Sequence, residues 1–237
     1  MSVSLVYTSA SSPVYPLPPP TTLLGALAFP YLRIKGEIAV DTCSQDLRAL
    51  VDNVPYASAG SRAFITHRFL ERIYQLPYLR VQHRKDEKMW WDVAQRGGTV
   101  FQDDELYVLY VARDENMLRY AWGIARVGRK ESHVIVRNVH IKKISETIVP
   151  EAISVYTIMY APKNLLTACE NAIEVELPTI SYENMCRGSR DLRVLTERFY
   201  LPLDGGMKCN VAKDRGVVVE IEGVRAVIPR EYAVAHA

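Results

Sequence analysis

The chain has little net charge. Across 237 residues, 29 Lys and Arg against 27 Asp and Glu leave only +2. A field that weak does not by itself announce a nucleic-acid or membrane-surface protein, so any such partner must meet a local basic face. No apolar run approaches the roughly 20 residues that span a bilayer. The segment from Met1 to Pro20 lacks the basic start and apolar block of a secretory leader. The chain therefore reads as cytoplasmic, with no membrane partner. Cysteine is scarce: Cys43, Cys169, Cys186 and Cys209 are scattered and form no C-x-x-C pair. Neither a zinc site nor a disulfide framework is indicated, and four reduced, mostly buried thiols are expected. A P-loop, an H-E-x-x-H helix and a G-x-S-x-G elbow are all missing. Internal repeats and low-complexity stretches are missing too. No cofactor and no metal are expected.

What is present fills one domain, residues 1–237, with nearly half its residues apolar. Val3 to Thr8 is β-branched and aromatic, as a first strand should be. An irregular Ser- and Pro-rich lead follows to Pro20. Thr21 and Thr22 then offer a cap for a helix through Ala28, which Pro30 should end or bend. Gly25 in that helix suggests close packing on a sheet, and the N–H groups at its start could also meet a phosphate. Ser44 to Val54 predicts a second amphipathic helix, with Leu47, Leu50 and Val51 on one face. Glu105 to Ala112 predicts a strand, and Asn116 to Ile124 a short helix. His133 to Ile141 alternates like a strand, as does Ser154 to Tyr160. Phe199 to Leu203, Val217 to Glu222 and Val224 to Ile228 complete the set, with Glu222-Gly223 as the last turn. This order fits an α+β fold, and a ferredoxin-like βαββαβ core with β-rich additions is the natural candidate.

Two regions carry chemistry. The loop Arg126 to Ser132 combines Arg126, Arg129 and Lys130 with Gly128, whose missing Cβ lets backbone N–H groups approach an anion. Ser132 and His133 add donors, and Arg119, Arg137, Lys142 and Lys143 could extend the track. From residue types alone it is either a phosphate grip or a solvated basic loop. The second region, Gly60 to Thr99, interleaves Arg62, Arg68, Arg72, Arg80, Arg84, Lys85 and Lys88 with six aromatic residues. It reads as extended segments and a projecting hairpin, with a turn at Gly97-Gly98. Tyr7, Tyr15, Tyr120 and Trp122 are possible stacking platforms, with core packing favoured for Trp122. Metal-free RNA cleavage would need a base and an acid, which His67, Tyr74, His83 and Lys85 could supply if they converged. His133 and His140 lie an odd number of residues apart on one predicted strand, so they point to opposite faces. Asp103-Asp104-Glu105 reads as a solvated turn, as does Asp204-Gly205-Gly206.

The segment Tyr15-Pro-Leu-Pro-Pro-Pro-Thr-Thr-Leu-Leu-Gly-Ala-Leu-Ala28 resembles the proline-threonine lead and first helix of the CRISPR-associated Cas-five family. Ile124-Ala-Arg-Val-Gly-Arg-Lys-Glu-Ser132 is similar to that family's Gly-Arg-Lys-Ser-like turn between helix and strand. Phe199 to Leu203 is weakly similar to its C-terminal strand. The order and spacing agree with the family, and the branch looks most like archaeal type I-A members. The resemblance implies a ferredoxin-like, RRM-related core of the RAMP superfamily, with a thumb hairpin at about 66–100 and a β-rich part at about 150–237. It implies a non-catalytic subunit of a type I Cascade complex in antiviral defence. That subunit grips the 5′ handle of the crRNA, caps the backbone filament and contacts the backbone and large subunits, meeting target DNA only indirectly. The RNA-binding residues would be Arg126, Gly128, Arg129, Lys130, Ser132, His133, Arg119, Arg137, Thr21 and Thr22. The thumb would carry Arg80, His83, Arg84, Lys85 and Lys88. One branch of the family cuts precursor RNA without metal, so a metal-independent endoribonuclease is the alternative. A protein-interaction subunit without RNA contact is the third reading.

Overall fold

A computed structural model describes residues 15–36, 44–62, 67–75, 92–100, 105–128, 132–186 and 194–234, with 67–75 and 92–100 described as backbone. The expected first strand, Val3 to Thr8, lies outside the described residues. So does the segment 76–91, which holds Arg80, His83, Arg84, Lys85 and Lys88.

Helix α1 (Pro20–Ile34) buries Leu23, Leu24, Leu27, Ala28, Tyr31 and Leu32, which recur at helical spacing. Its start corrects the expected threonine cap. The N-cap is Pro19, with no side-chain cap, and Pro20 follows it. The Pro19 carbonyl accepts the N–H groups of Thr22 and Leu23 at 2.9 and 3.1 Å. Proline suits the first helical position because its missing N–H would have no partner there. The helix does not end at Pro30 either, but runs on to Ile34. Tyr31 and Leu32 share a buried cluster with Leu47, Leu50 and Val51 of α2 (Gln45–Asn53). That burial outweighs the one hydrogen bond Pro30 cannot donate. Helix α2 starts as its sequence predicts, with Ser44 accepting the Leu47 N–H at 3.0 Å.

Strand β1 (Tyr56–Ser61) leads to β2 (His67–Gln75), β3 (Asp92–Val100) and β4 (Leu106–Val111). The pairs β1–β4 and β2–β3 are antiparallel. Gly97 and Gly98 do not form the expected turn; they lie inside β3, opposite Leu70 and Phe69. Helix α3 (Glu115–Leu118) is a single turn that tightens into a 3₁₀ turn, Arg119–Gly123. The expected strand from His133 to Ile141 is absent as a ladder. Among the described residues its one bridge joins His133 to Arg126. Val134 and Val136 are half-buried while Ile135 is 92 % exposed, so burial does alternate there. Alternation reports a chain with one covered face; a strand also needs a neighbour to pair with.

Helix α4 (Ile144–Thr147) opens the C-terminal part. It continues through β5 (Ser154–Thr157), β6 (Ala161–Pro162), β7 (Leu166–Glu170) and β8 (Ala172–Pro178). Then come α5 (Tyr182–Cys186), β9 (Thr196–Pro202), β10 (Met207–Val211), β11 (Gly216–Ile221), β12 (Val224–Pro229) and α6 (Arg230–Val234). The strands form small sheets ordered β5-β10-β7, β6-β9-β8 and β11-β12. Every described strand pair is antiparallel, which makes this an α+β fold. Glu222 and Gly223, both at positive φ (49° and 74°), close the β11–β12 hairpin as the sequence predicts.

Tyr160 pins the centre. It is fully buried, stacks edge-on against Phe199 at 5.5 Å and donates its hydroxyl to the Pro18 carbonyl at 2.9 Å. Tyr56 and Tyr110 do the same toward the carbonyls of Val227 and Leu23. Burial pushes all three phenols well above their ordinary range, so they serve as neutral donors.

The cysteines depart from expectation. Strands β7 and β10 place Cys169 directly opposite Cys209, and the two form a disulfide with Cα atoms 4.1 Å apart. Cys186 is disulfide-bonded as well. The partners are distant in sequence, so only strand register reveals the pair.

Candidate nucleic-acid interface

The second half of α1, the 3₁₀ turn and the loop after it make one surface. Gly123 permits the approach: a Cβ there would stand 2.6 Å from the Pro30 Cβ. The chain then turns back on itself. Val127 donates to the Ser132 carbonyl at 3.1 Å and Val134 to the Ala125 carbonyl at 3.0 Å. Gly128 at φ 94° takes the left-handed conformation that the reversal requires. Arg126 and His133 sit opposite each other in the resulting bridge.

This turn delivers Arg126 to the helix. Its guanidinium lies 5.0 Å from the centre of the Phe29 ring. Arg33, one turn further along α1, lies 5.2 Å from the same ring. Lys35 sits 6.0 Å from the Tyr31 ring. Among the described residues neither Arg33 nor Arg126 has an acidic partner. Trp122, on the 3₁₀ turn beside Gly123, is 57 % exposed, and Arg119 on the same turn is exposed too. A guanidinium held over a ring keeps its N–H groups free for phosphate and its plane free for a base. An exposed indole offers a second platform.

The sequence reading meets this surface in part. Arg126, Gly128, Ser132, His133 and Arg119 lie on it or beside it. Arg129 and Lys130 lie outside the described residues. Arg137 is engaged elsewhere, paired at 2.6 Å with Glu105. Thr21 and Thr22, half-buried in the first turn of α1, stand roughly 10 Å along the axis from Phe29, at 1.5 Å per residue. The structure does not bring them to Arg126. Trp122 corrects the core assignment made for it. Tyr15 is buried in the core, and Tyr120 packs edge-on against Tyr31 at 5.1 Å. Tyr7 lies outside the described residues. Phe29 and Arg33 escaped the sequence reading; their signal was an aromatic and an arginine four residues apart at the end of an apolar helix. Gly25 also differs from expectation, because a Cβ there would meet nothing within 4 Å.

The candidate catalytic groups lie mostly outside the described side chains. His83 and Lys85 lie outside the described residues, while His67 and Tyr74 belong to the β2–β3 hairpin. His133 and His140 are exposed, His140 standing 3.6 Å from Glu222. Since no strand joins these two histidines, strand alternation does not set where they point. Among the described residues no group of three or more His, Cys, Asp and Glu could hold a metal ion. Among them, too, no helix is long and apolar enough to cross a membrane.

Comparison with known proteins adds three findings. The chain is 28 % identical over 193 residues to CRISPR-associated protein Cas5 2 of Saccharolobus solfataricus, covering 76 % of this chain and 70 % of that protein. It is 27 % identical over 142 residues to CRISPR system aCascade subunit Cas5 1 of the same organism, covering 57 % of this chain and 59 % of that one. The crystal structure of a CRISPR protein from Archaeoglobus fulgidus superposes with a TM-score of 0.57 at 16 % identity, over 96 % of this chain and 93 % of that one, a likeness of fold. No family model matches the chain.

Proposed function

We propose that this chain, 27–28 % identical to two Cas5 proteins of Saccharolobus solfataricus, is itself a Cas5-family protein and a non-catalytic RNA-binding subunit of a type I Cascade complex. It grips the 5′ handle of the crRNA on the surface of Phe29, Arg33, Arg126 and Trp122. The observation that carries the reading is Phe29 with two guanidinium groups against its ring, neither with an acidic partner among the described residues, together with the exposed indole of Trp122 on the 3₁₀ turn. Single-stranded RNA asks for that combination: cations for its phosphates and flat groups for its splayed bases. The name of one relative, a subunit of an aCascade system, supports membership of such an assembly, and an archaeal type I-A setting is part of the same proposal. As an asymmetric end piece the chain would stop head-to-tail growth of the backbone subunits. The βαββαβ order of a ferredoxin-like core would run from Val3–Thr8 through α1, β1 and β4.

The test is binding of single-stranded repeat RNA across a salt series, for the native chain and for an Arg33→Ala/Arg126→Ala variant. The variant is expected to bind at least about tenfold more weakly, its log–log salt slope shallower by roughly 0.7 for each lost phosphate contact. Equal affinity and equal slope would move the RNA off this surface. The same RNA incubated with the chain in EDTA is expected to stay intact. Site-specific cuts would instead make the chain a metal-independent endoribonuclease.

A further inference from the structure

A cleft of about 820 Å³ opens beside the start of α1, β1, β9 and α6. A smaller one of about 380 Å³ shares Asn164, Glu197 and Arg215 with it. The larger cleft is walled by Pro20, Pro55, Pro162, Pro229 and Tyr232. Glu197 stands where the two meet.

Its position is unusual for a carboxylate. Along β9, residues 197, 199 and 201 share one face, and Phe199 and Leu201 on that face are core residues. Glu197 therefore occupies an inward position, paired with Leu177 of β8 and just beyond the short stretch where β6 pairs with Phe199 and Tyr200. Among the described residues no hydrogen bond or ion pair reaches it. Burial alone raises its carboxyl above the ordinary range. A half-buried acid without a partner costs stability.

The cations around the cleft are mostly engaged. Lys163 and Arg198 bind Glu174 at 2.6 and 3.2 Å, and Arg215 binds Asp214 at 3.2 Å. Of the lining cations, Arg230 alone has no acidic partner among the described residues. Two lining groups therefore lack an oppositely charged partner among the described residues: Arg230, in the larger cleft only, and Glu197, the one that stands at the junction. An RNA strand would bring it a like charge; a basic side chain flanked by apolar or proline residues would bring what it lacks.

We propose that this cleft docks a neighbouring protein chain by seating one of its arginine side chains on Glu197, with the proline walls covering the residues on either side. The proposal stands apart from the RNA surface, and the two fail separately.

The probe is N-acetyl-arginine amide, titrated into the full chain with the side-chain carboxyl carbons of glutamate observed by NMR. The expected result is a saturable shift of the Glu197 resonance at about millimolar affinity. In Glu197→Gln, where that resonance is lost, backbone amide shifts around the cleft are expected to report affinity weaker by about tenfold or more. Glu197→Asp, which keeps the charge, should retain part of the affinity and serves if the glutamine variant misfolds. Repeat-RNA affinity should be unchanged in both variants. Absence of a saturable shift, or equal affinity in Glu197→Gln, overturns the proposal. So does guanosine monophosphate binding in a Glu197-dependent way, which would reassign the cleft to nucleic acid.

Discussion

Helix α1 borders two surfaces that handle charge in opposite ways. Near its end, Arg33 and Arg126 stand against Phe29 with no acidic partner among the described residues, and Trp122 on the 3₁₀ turn is exposed. At its start, Pro20 lines a cleft where most cations are already paired and where, among the described residues, Glu197 has no cation beside it. A net charge of +2 describes neither place. What a surface can bind depends on which charges remain after neighbours have satisfied one another. The first surface suits a polyanion with flat bases, and the second a single cation with apolar flanks.

The largest expected effect tests how differently the two surfaces are held. The smaller lobe of the cleft is lined by Leu166 and Thr167 of β7, the strand that the Cys169–Cys209 disulfide ties to β10. Closing a loop of 40 residues should contribute about 4 kcal/mol through the unfolded chain. A Cys169→Ala/Cys209→Ala variant should lose about that much in urea unfolding. Hydrogen exchange should show β7 and β10 losing protection before α1 does. Uniform loss would mean that the two regions open as one unit.

On the RNA surface, charge and stacking can be separated. Arg126→Ala should weaken RNA binding about tenfold and flatten the salt dependence. Phe29→Ala should weaken it by about threefold to tenfold with the slope nearly kept, because the ring supplies stacking and orientation without charge. Equal changes in slope would show that Phe29 acts only by holding the arginines in place.

The Glu197 carboxyl makes a smaller, pH-dependent contribution. Its native form holds a proton to higher pH than the unfolded chain does. Stability should therefore fall as pH rises from the ordinary carboxylate range through the raised native value. Glu197→Gln should remove that part of the profile. Its urea midpoint should exceed that of the native chain near neutral pH and match it below the carboxylate range. A lower midpoint near neutral pH would mean that the carboxylate is satisfied in the native fold, and the contrast with Arg33 and Arg126 would be lost.

What the sequence revealed follows from the range of the interactions. Local signals were read correctly where they compete with nothing: the Ser44 cap, the Glu222-Gly223 turn and the strand from Glu105 to Ala112 each depend on a few adjacent residues. The start and length of α1 were misjudged because proline was read as a breaker, when distant burial of Tyr31 and Leu32 decides the matter. Trp122 looked like core because its neighbours are apolar, but a 3₁₀ turn places it outward. Phe29 and Arg33 passed unnoticed because the arginine that joins them, Arg126, lies far along the chain. The disulfide and the inward Glu197 depend on strand register, which no local pattern specifies.

Gly25 lies between the two surfaces, on the helix they share. Its place suggested tight packing, but an added Cβ there meets nothing within 4 Å. With no contact to lose, Gly25→Ala should stabilise the chain by about 0.5–1 kcal/mol, the usual difference between these residues inside a helix. Both binding activities should be unchanged, since a straighter or stiffer α1 would leave Phe29 and Pro20 where they are. If the variant gains stability and loses RNA affinity, the helix must flex at Gly25 when RNA binds. The two surfaces would then be coupled through α1, and occupying one would alter the other.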